Sequence, residues 1–306
     1  MRKHILTAVW VILHIPHWSY AQTARIDSLL QVYTQQPNDT TKLGTLTHLI
    51  NAFMYRDPER SMSFAREKLT LTRNLEFIKW ESLASFHMGV LQTNLDQYDS
   101  ANIYFDRAYQ LAMTIDDTYR IVLALDGMSG TNLKKGNFTA ADSLNDINMA
   151  ILKQKNDYYR LATVYAKKSQ INKEQGNLNI AYNYALEALR LMKEFDKPVR
   201  MADILLQLAV IEQELGNISD AIEHSKEALQ IYLAHGDLMY QAILLANLGD
   251  LFTLQGNYNG ALDLLQESLT KADSAGNVSV KARTLNRMGT LYMLRNQFSN
   301  KILMNL

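Results

Sequence analysis

A fixed interval of 40 residues governs this sequence. Gly136, Gly176, Gly216 and Gly256 lie one interval apart, and each is followed by Asn. Asp96 and Asn296 fall on the same grid. One cycle, Ile204 to Asp237, reads ILLQLAVIEQELGNISDAIEHSKEALQIYLAHGD: an apolar-periodic run, a Gly-Asn break, then a second run closed by Gly-Asp. Self-similarity at such a period marks a chain of stacked units, because one unit cannot bury its apolar face and must share it with the next. Apolar runs of helical period joined by short turns make each unit an antiparallel helix pair.

The turns have a physical reading. Gly at the grid position takes the left-handed conformation that closes the first helix. Asn177, Asn217 and Asn257 are then placed to cap the second. His235-Gly236-Asp237 and Ala275-Gly276-Asn277 do the same work between pairs, with Asp116-Asp117 and Asn156-Asp157 as glycine-free equivalents. Arg56-Asp57-Pro58 pairs a capping Asp with Pro at the first helical position. Two columns of small residues accompany the turns. Ala101, Ala141, Ala181, Ala221 and Ala261 form one; Gly89, Ser129, Ser169, Ala209, Gly249 and Gly289 form the other. Small side chains let helix axes approach to about 8–10 Å.

Composition narrows the function. The 306 residues are 47% apolar, enough for a large core. Lys+Arg and Asp+Glu are equal at 31 each, which gives no basic excess for nucleic acid. With no Cys there are no disulfides, thiolate metal sites or Cys nucleophiles. His48, His87, His224 and His235 lack metal-ligand spacing. Asp116-Asp117 and Asp142/Asp146 read as capping or solvated carboxylates, and no phosphate loop or nucleophile elbow is present. The expectation is a non-enzyme with no cofactor and no metal.

The first residues read as a leader. Arg2 and Lys3 precede an apolar stretch from Ile5 to Ile15, and Ser19-Tyr20-Ala21 is a small-x-small cleavage site before Gln22. Residues 1–21 are therefore expected to be a signal peptide, and the mature chain to be periplasmic or extracellular. Residues 22–39 are expected to form a capping helix, Ala24 to Gln35, and a turn at Pro37-Asn38-Asp39. Residues 40–306 are the repeat array: six full pairs and an incomplete seventh from about Val278. No segment after the leader is apolar enough to cross a membrane.

The columns resemble the tetratricopeptide repeat. Leu248-Gly249, Phe252, Gly256 and Ala261 carry the likeness, as do Met288-Gly289 and Tyr292, with Ala188 and Ala228 at the second small position of the second helix. Gln92, Asn132, Asn172 and Glu212 replace the aromatic residue. The period exceeds the family's usual span of about 34 residues. The likeness covers roughly residues 40 to 298 and is similar to the exported repeat regions of bacterial sensor and regulator proteins. It implies an all-α, right-handed solenoid whose first helices line a concave groove for a protein or peptide.

Placing the family's groove positions on this sequence gives Asp126, Lys167, Gln170, Lys173, Gln207, Gln213, Asn247, Asp250, Arg283, Asn286 and Arg287. Leu46, Phe53, Phe86 and Leu123 take those positions in the earlier repeats. Asn247, Arg283 and Arg287 match part of a set by which some members hold a peptide's terminal carboxylate; Leu206 and Val210 stand where other members of it would be. In the last repeat, Lys301 occupies the Ala column, and Leu291 and Leu294 are expected to lack cover. Either a partner covers them or a further segment does. In the second case the chain is the input region of a longer signalling protein, of histidine kinase or transcriptional regulator type.

Overall fold

The computed structural model describes residues 17–54 and 56–304, with side chains described for 26–54 and 56–295. Most of the expected signal peptide, residues 1–16, lies outside them. The described residues form fourteen α-helices and no strand. They are α1 (His17–Gln35), α2 (Thr40–Phe53), α3 (Pro58–Asn74), α4 (Ile78–Asn94), α5 (Tyr98–Thr114), α6 (Thr118–Lys134) and α7 (Phe138–Gln154). Then follow α8 (Tyr158–Glu174), α9 (Leu178–Met192), α10 (Pro198–Leu215), α11 (Ile218–His235), α12 (Leu238–Leu254), α13 (Tyr258–Ser274) and α14 (Val278–Met304). The fold class is an all-α stack of antiparallel helix pairs. It divides into two compact units, Met1–Leu144 and Asn145–Leu306.

The turns beat at half the sequence period. Glu76, Asp96, Asp116, Gly136, Asn156, Gly176, Gly216, Gly236, Gly256 and Gly276 all have positive φ, between 47° and 83°. Each is followed by a residue whose N–H donates five residues back, as from Asn177 to the Asn172 carbonyl at 2.8 Å and from Asn217 to the Glu212 carbonyl at 2.8 Å. The left-handed residue turns the chain so that this bond can satisfy a carbonyl that a straight helix end would leave unpaired. In the second unit one beat before α14 is missing. α9 stops at Met192, and residues 193–197 reach α10 without such a bond; Pro198 starts the new helix and the Phe195 ring packs 5.5 Å from that of Tyr159.

Two details depart from expectation. Asn177 and Asn217 sit at the N-cap positions of α9 and α11, but their side chains accept no backbone hydrogen bond; Asn257 does accept one, from Gly260 N at 3.1 Å. The stronger caps are aspartates: Asp57, Asp117, Asp157 and Asp237 each accept from the backbone of the first turn. Their carboxylates also meet the positive end of the helix dipole, which Asn does not exploit. The second departure is at Asn296. α14 runs through this grid position to Met304 without a turn. Asn156 takes the left-handed conformation at its own turn, so an Asn at the grid position does not by itself end a helix.

The columns of small residues are the contact surfaces. Ala101, Ala141, Ala181, Ala221 and Ala261 are all fully buried. A Cβ at Gly89 would stand 2.6 Å from the Phe105 ring, and one at Gly249 would stand 2.8 Å from Leu265. At Ser129 the hydroxyl finds the facing backbone, donating to the Ala141 carbonyl at 3.1 Å. α1 covers α2, with Ile26, Leu29, Leu30 and Tyr33 against a cluster that includes Leu43, Leu46, Ile50 and Phe53.

Candidate binding face

First helices carry the residues expected to meet a ligand, and each unit presents its own set. In the first unit, Leu46 is fully buried and Phe53 is 7% exposed. They belong to the core under α1 and cannot line a groove, which corrects their placement there. Phe86 is half-buried, its ring 5.6 Å from that of Phe105. Asp126 is half-buried and already engaged within the chain.

In the second unit, α8, α10, α12 and α14 bring several of the expected residues together. Arg287 is the centre. Its Nε lies 2.9 Å from Asp250 Oδ2, and its Nη1 donates to Asn247 Oδ1 at 3.0 Å. Burial pushes the Asp250 carboxyl up, and the Arg287 guanidinium opposes that rise. The guanidinium is thus aimed by two residues of the neighbouring first helix and keeps N–H groups that neither accepts. Lys173 Nζ lies 3.3 Å from Glu174 and 3.7 Å from Glu214. Gln207 Nε2 donates to the Ala166 carbonyl at 2.9 Å, which ties α10 to α8. Lys167 is half-buried and engaged; Gln213 is half-buried; Gln170, Arg283 and Asn286 are exposed. Arg287, Asp250 and Asn247 form one cluster, while Lys173 and Gln207 are bound to other neighbours.

Several charged residues lie deeper. Lys68 occupies the column that holds Ala108, Ala188, Ala228 and Ser268 in other pairs, and it is fully buried. Its Nζ donates to Thr47 Oγ1 at 2.6 Å, stands 3.4 Å from His87 Nδ1, and lies 5.1 Å from the centre of the Trp80 ring. Burial, with Arg120 adding repulsion, lowers its pKa to about 7. Burial and Lys68 together lower that of His87 to about 3. Glu212, in the aromatic column, is also fully buried, with His224 Nδ1 2.9 Å from its Oε2. Lys168, 2% exposed, reaches Asp146 at 2.5 Å. The spacing that reveals the small column could have singled out Lys68, since a long cation among alanines is the exception there.

Among the described residues no helix is long and apolar enough to cross a membrane, and no cluster of His and carboxylates has metal-ligand geometry.

Residues 200–274 match the tetratricopeptide repeat family. No curated protein is significantly similar to this chain. Solved structures share the fold at low identity. BtubC (BKLC) from P. vanneervenii superposes with a TM-score of 0.65 at 16% identity, over 72% of this chain and 93% of that one. A signal transduction ATPase with numerous domains from Pyrococcus horikoshii, which has a tetratricopeptide repeat sensor, gives 0.66 at 16% identity, over 91% of this chain and 44% of its own. A Rap protein complexed with competence and sporulation factor gives 0.58 at 14% identity, over 90% and 85%.

Proposed function

We propose that this chain of tetratricopeptide-repeat helix pairs is a non-catalytic scaffold, exported from the cytoplasm, that holds a protein or peptide on its first-helix face. The observation that carries the reading is the Arg287 guanidinium, oriented by Asp250 and Asn247 on α12 with hydrogen-bonding capacity to spare. A fixed cation on a helical face suits a carboxylate or a carbonyl-rich segment, and orientation by neighbours lowers the entropy cost of binding. The Rap protein solved with its factor supports binding by a stack of this kind.

The test is selection of a displayed random-peptide library on the purified mature chain, then titration of the recovered peptides against Arg287→Ala. At least a tenfold loss of affinity is expected. A library that yields no binder, or peptides that bind the variant equally well, would overturn the reading. Export has a separate test. The chain recovered outside the cytoplasm should begin at Gln22, and its retention inside with residues 1–21 attached would count against the leader.

A second reading is that the chain is the sensor input region of a signalling protein. The likeness to an ATPase that carries a tetratricopeptide repeat sensor favours it. So does the exposed apolar side of α14, where Val278 is 78%, Met293 62% and Leu294 39% exposed, although Leu291, expected to lack cover, is buried against Ala261 and Leu265. A membrane span and kinase or regulator motifs encoded beyond Leu306 would select this reading over the free scaffold.

A further inference from the structure

The aromatic column of the repeat is filled in one place and vacated in another. On α12, Phe252 packs against a cluster that includes Ala221 and Ile222 of the preceding second helix, α11, and Ile218 packs against the same cluster. Lys226 Nζ lies 6.0 Å from the ring centre. Four periods earlier the matching residues of α3 are Pro58, Met62 and Arg66, and the residue of α4 that should carry the ring is Gln92. The ring's place is a cavity of about 390 Å³ lined by Pro58, Glu59, Met62, Arg66, Gln92, Leu95 and Gln97. That volume falls within the ~300–1,000 Å³ usual for ligand pockets.

The lining asks for a particular guest. Gln92 Oε1 is buried and accepts no hydrogen bond, which is costly for an amide oxygen. The Arg66 guanidinium has no partner among the described residues, in the position from which Lys226 faces a ring. Met62, 6% exposed, supplies an apolar wall. An occupant that satisfies all three has an aromatic face for the cation, apolar surface for Met62 and Pro58, and an N–H for the Gln92 oxygen. Indole meets the three demands and is the strongest partner for a cation over its face.

We propose that this slot between α3 and α4 binds the tryptophan side chain of a peptide segment, which takes the place of the ring that Gln92 omits. The site shares no residue with the Arg287 cluster, so either can fail without the other.

The test uses the full mature chain and N-acetyl-L-tryptophanamide as the probe, followed by saturation-transfer NMR. Wild type should give a saturable signal on the indole ring. Gln92→Phe should abolish that signal with the unfolding temperature unchanged or raised, because its own ring fills the slot. Met62→Phe fills it from the opposite wall and should act alike. Arg66→Ser should weaken the probe about threefold or more. A comparison that needs no variant is indole against 1-methylindole, which lacks the N–H and should bind about fivefold more weakly. The proposal fails if wild type shows no saturable signal, if a folded Gln92→Phe or Met62→Phe protein binds undiminished, or if the methylated probe binds as well as indole.

Discussion

Lys68 Nζ on α3 stands 3.4 Å from His87 Nδ1 on α4, and neither group has appreciable contact with water. Two bases face each other where one proton already repels the next. Glu67 and Arg66 on α3, Glu81 on α4, Lys42 and His48 on α2, and Arg120 on α6 are among the other charged or titratable groups on the surrounding helices, yet no carboxylate among the described residues pairs with Lys68.

The pH dependence of stability follows from that pair. The folded chain holds Lys68 at about 7 against 10.5 for the free side chain, so between those values the unfolded chain binds more protons. Stability therefore rises with pH across that window, by an upper estimate of about 3–5 kcal/mol. His87, held at about 3 against 6.5, adds a rise over the more acidic window. Lys68→Met should be more stable than wild type at pH 7, and the advantage should shrink by pH 10. Urea unfolding at the two pH values measures this; an advantage independent of pH would contradict it.

Glu212 gives the opposite slope. Burial raises its pKa, although His224 pulls the other way. An acid whose folded pKa is raised loses stability as pH climbs from the unfolded value through the folded one. Glu212→Gln should thus gain stability at pH 8 and little at pH 4. A thermal melt of both proteins at each pH reads the difference.

Two glycines of one column should respond differently. Gly89→Ala would drive a methyl into the Phe105 ring, whereas a Cβ at Gly289 meets nothing within 4 Å. Gly89→Ala should cost about 1–3 kcal/mol. Gly289→Ala should be neutral or stabilising by up to ~1 kcal/mol, since Ala favours the helix. Equal melting temperatures for the two variants would refute the contact at Phe105.

Glu76 holds a left-handed conformation at φ 52°, where glycine rests at no cost. Glu76→Gly should stabilise by about 1 kcal/mol. Gly216→Ala, at φ 83°, should destabilise by a similar ~1 kcal/mol. Chemical denaturation of the pair checks both signs at once.

The sequence revealed turns better than it revealed buried charge. Gly, Asn and Asp announce left-handed turns because few other residues adopt them, and their spacing exposed the helix pairs. Glu76 gave no such signal, since its side chain offers no local hydrogen bond that rewards the conformation. The cluster of Arg287, Asp250 and Asn247 drew on residues that the family likeness had placed on one face. Leu46 and Phe53 were misplaced because the cover that α1 gives to α2 depends on packing, which periodicity does not encode. The cavity beside Gln92 was half legible: the missing aromatic stood in the sequence, but only the packing of Phe252 shows what space a ring takes.

The interrupted beat at 193–197 has a mechanical consequence. At the other turns of the second unit a backbone bond five residues back ties one helix to its successor. Here Pro198 starts the new helix without that bond, and the Phe195 ring packs on Tyr159 of α8 instead. An array built from neighbour-to-neighbour couplings parts where one coupling is weakest. Heat or tension applied to the second unit would therefore open a seam between α9 and α10 before it tore any other joint there.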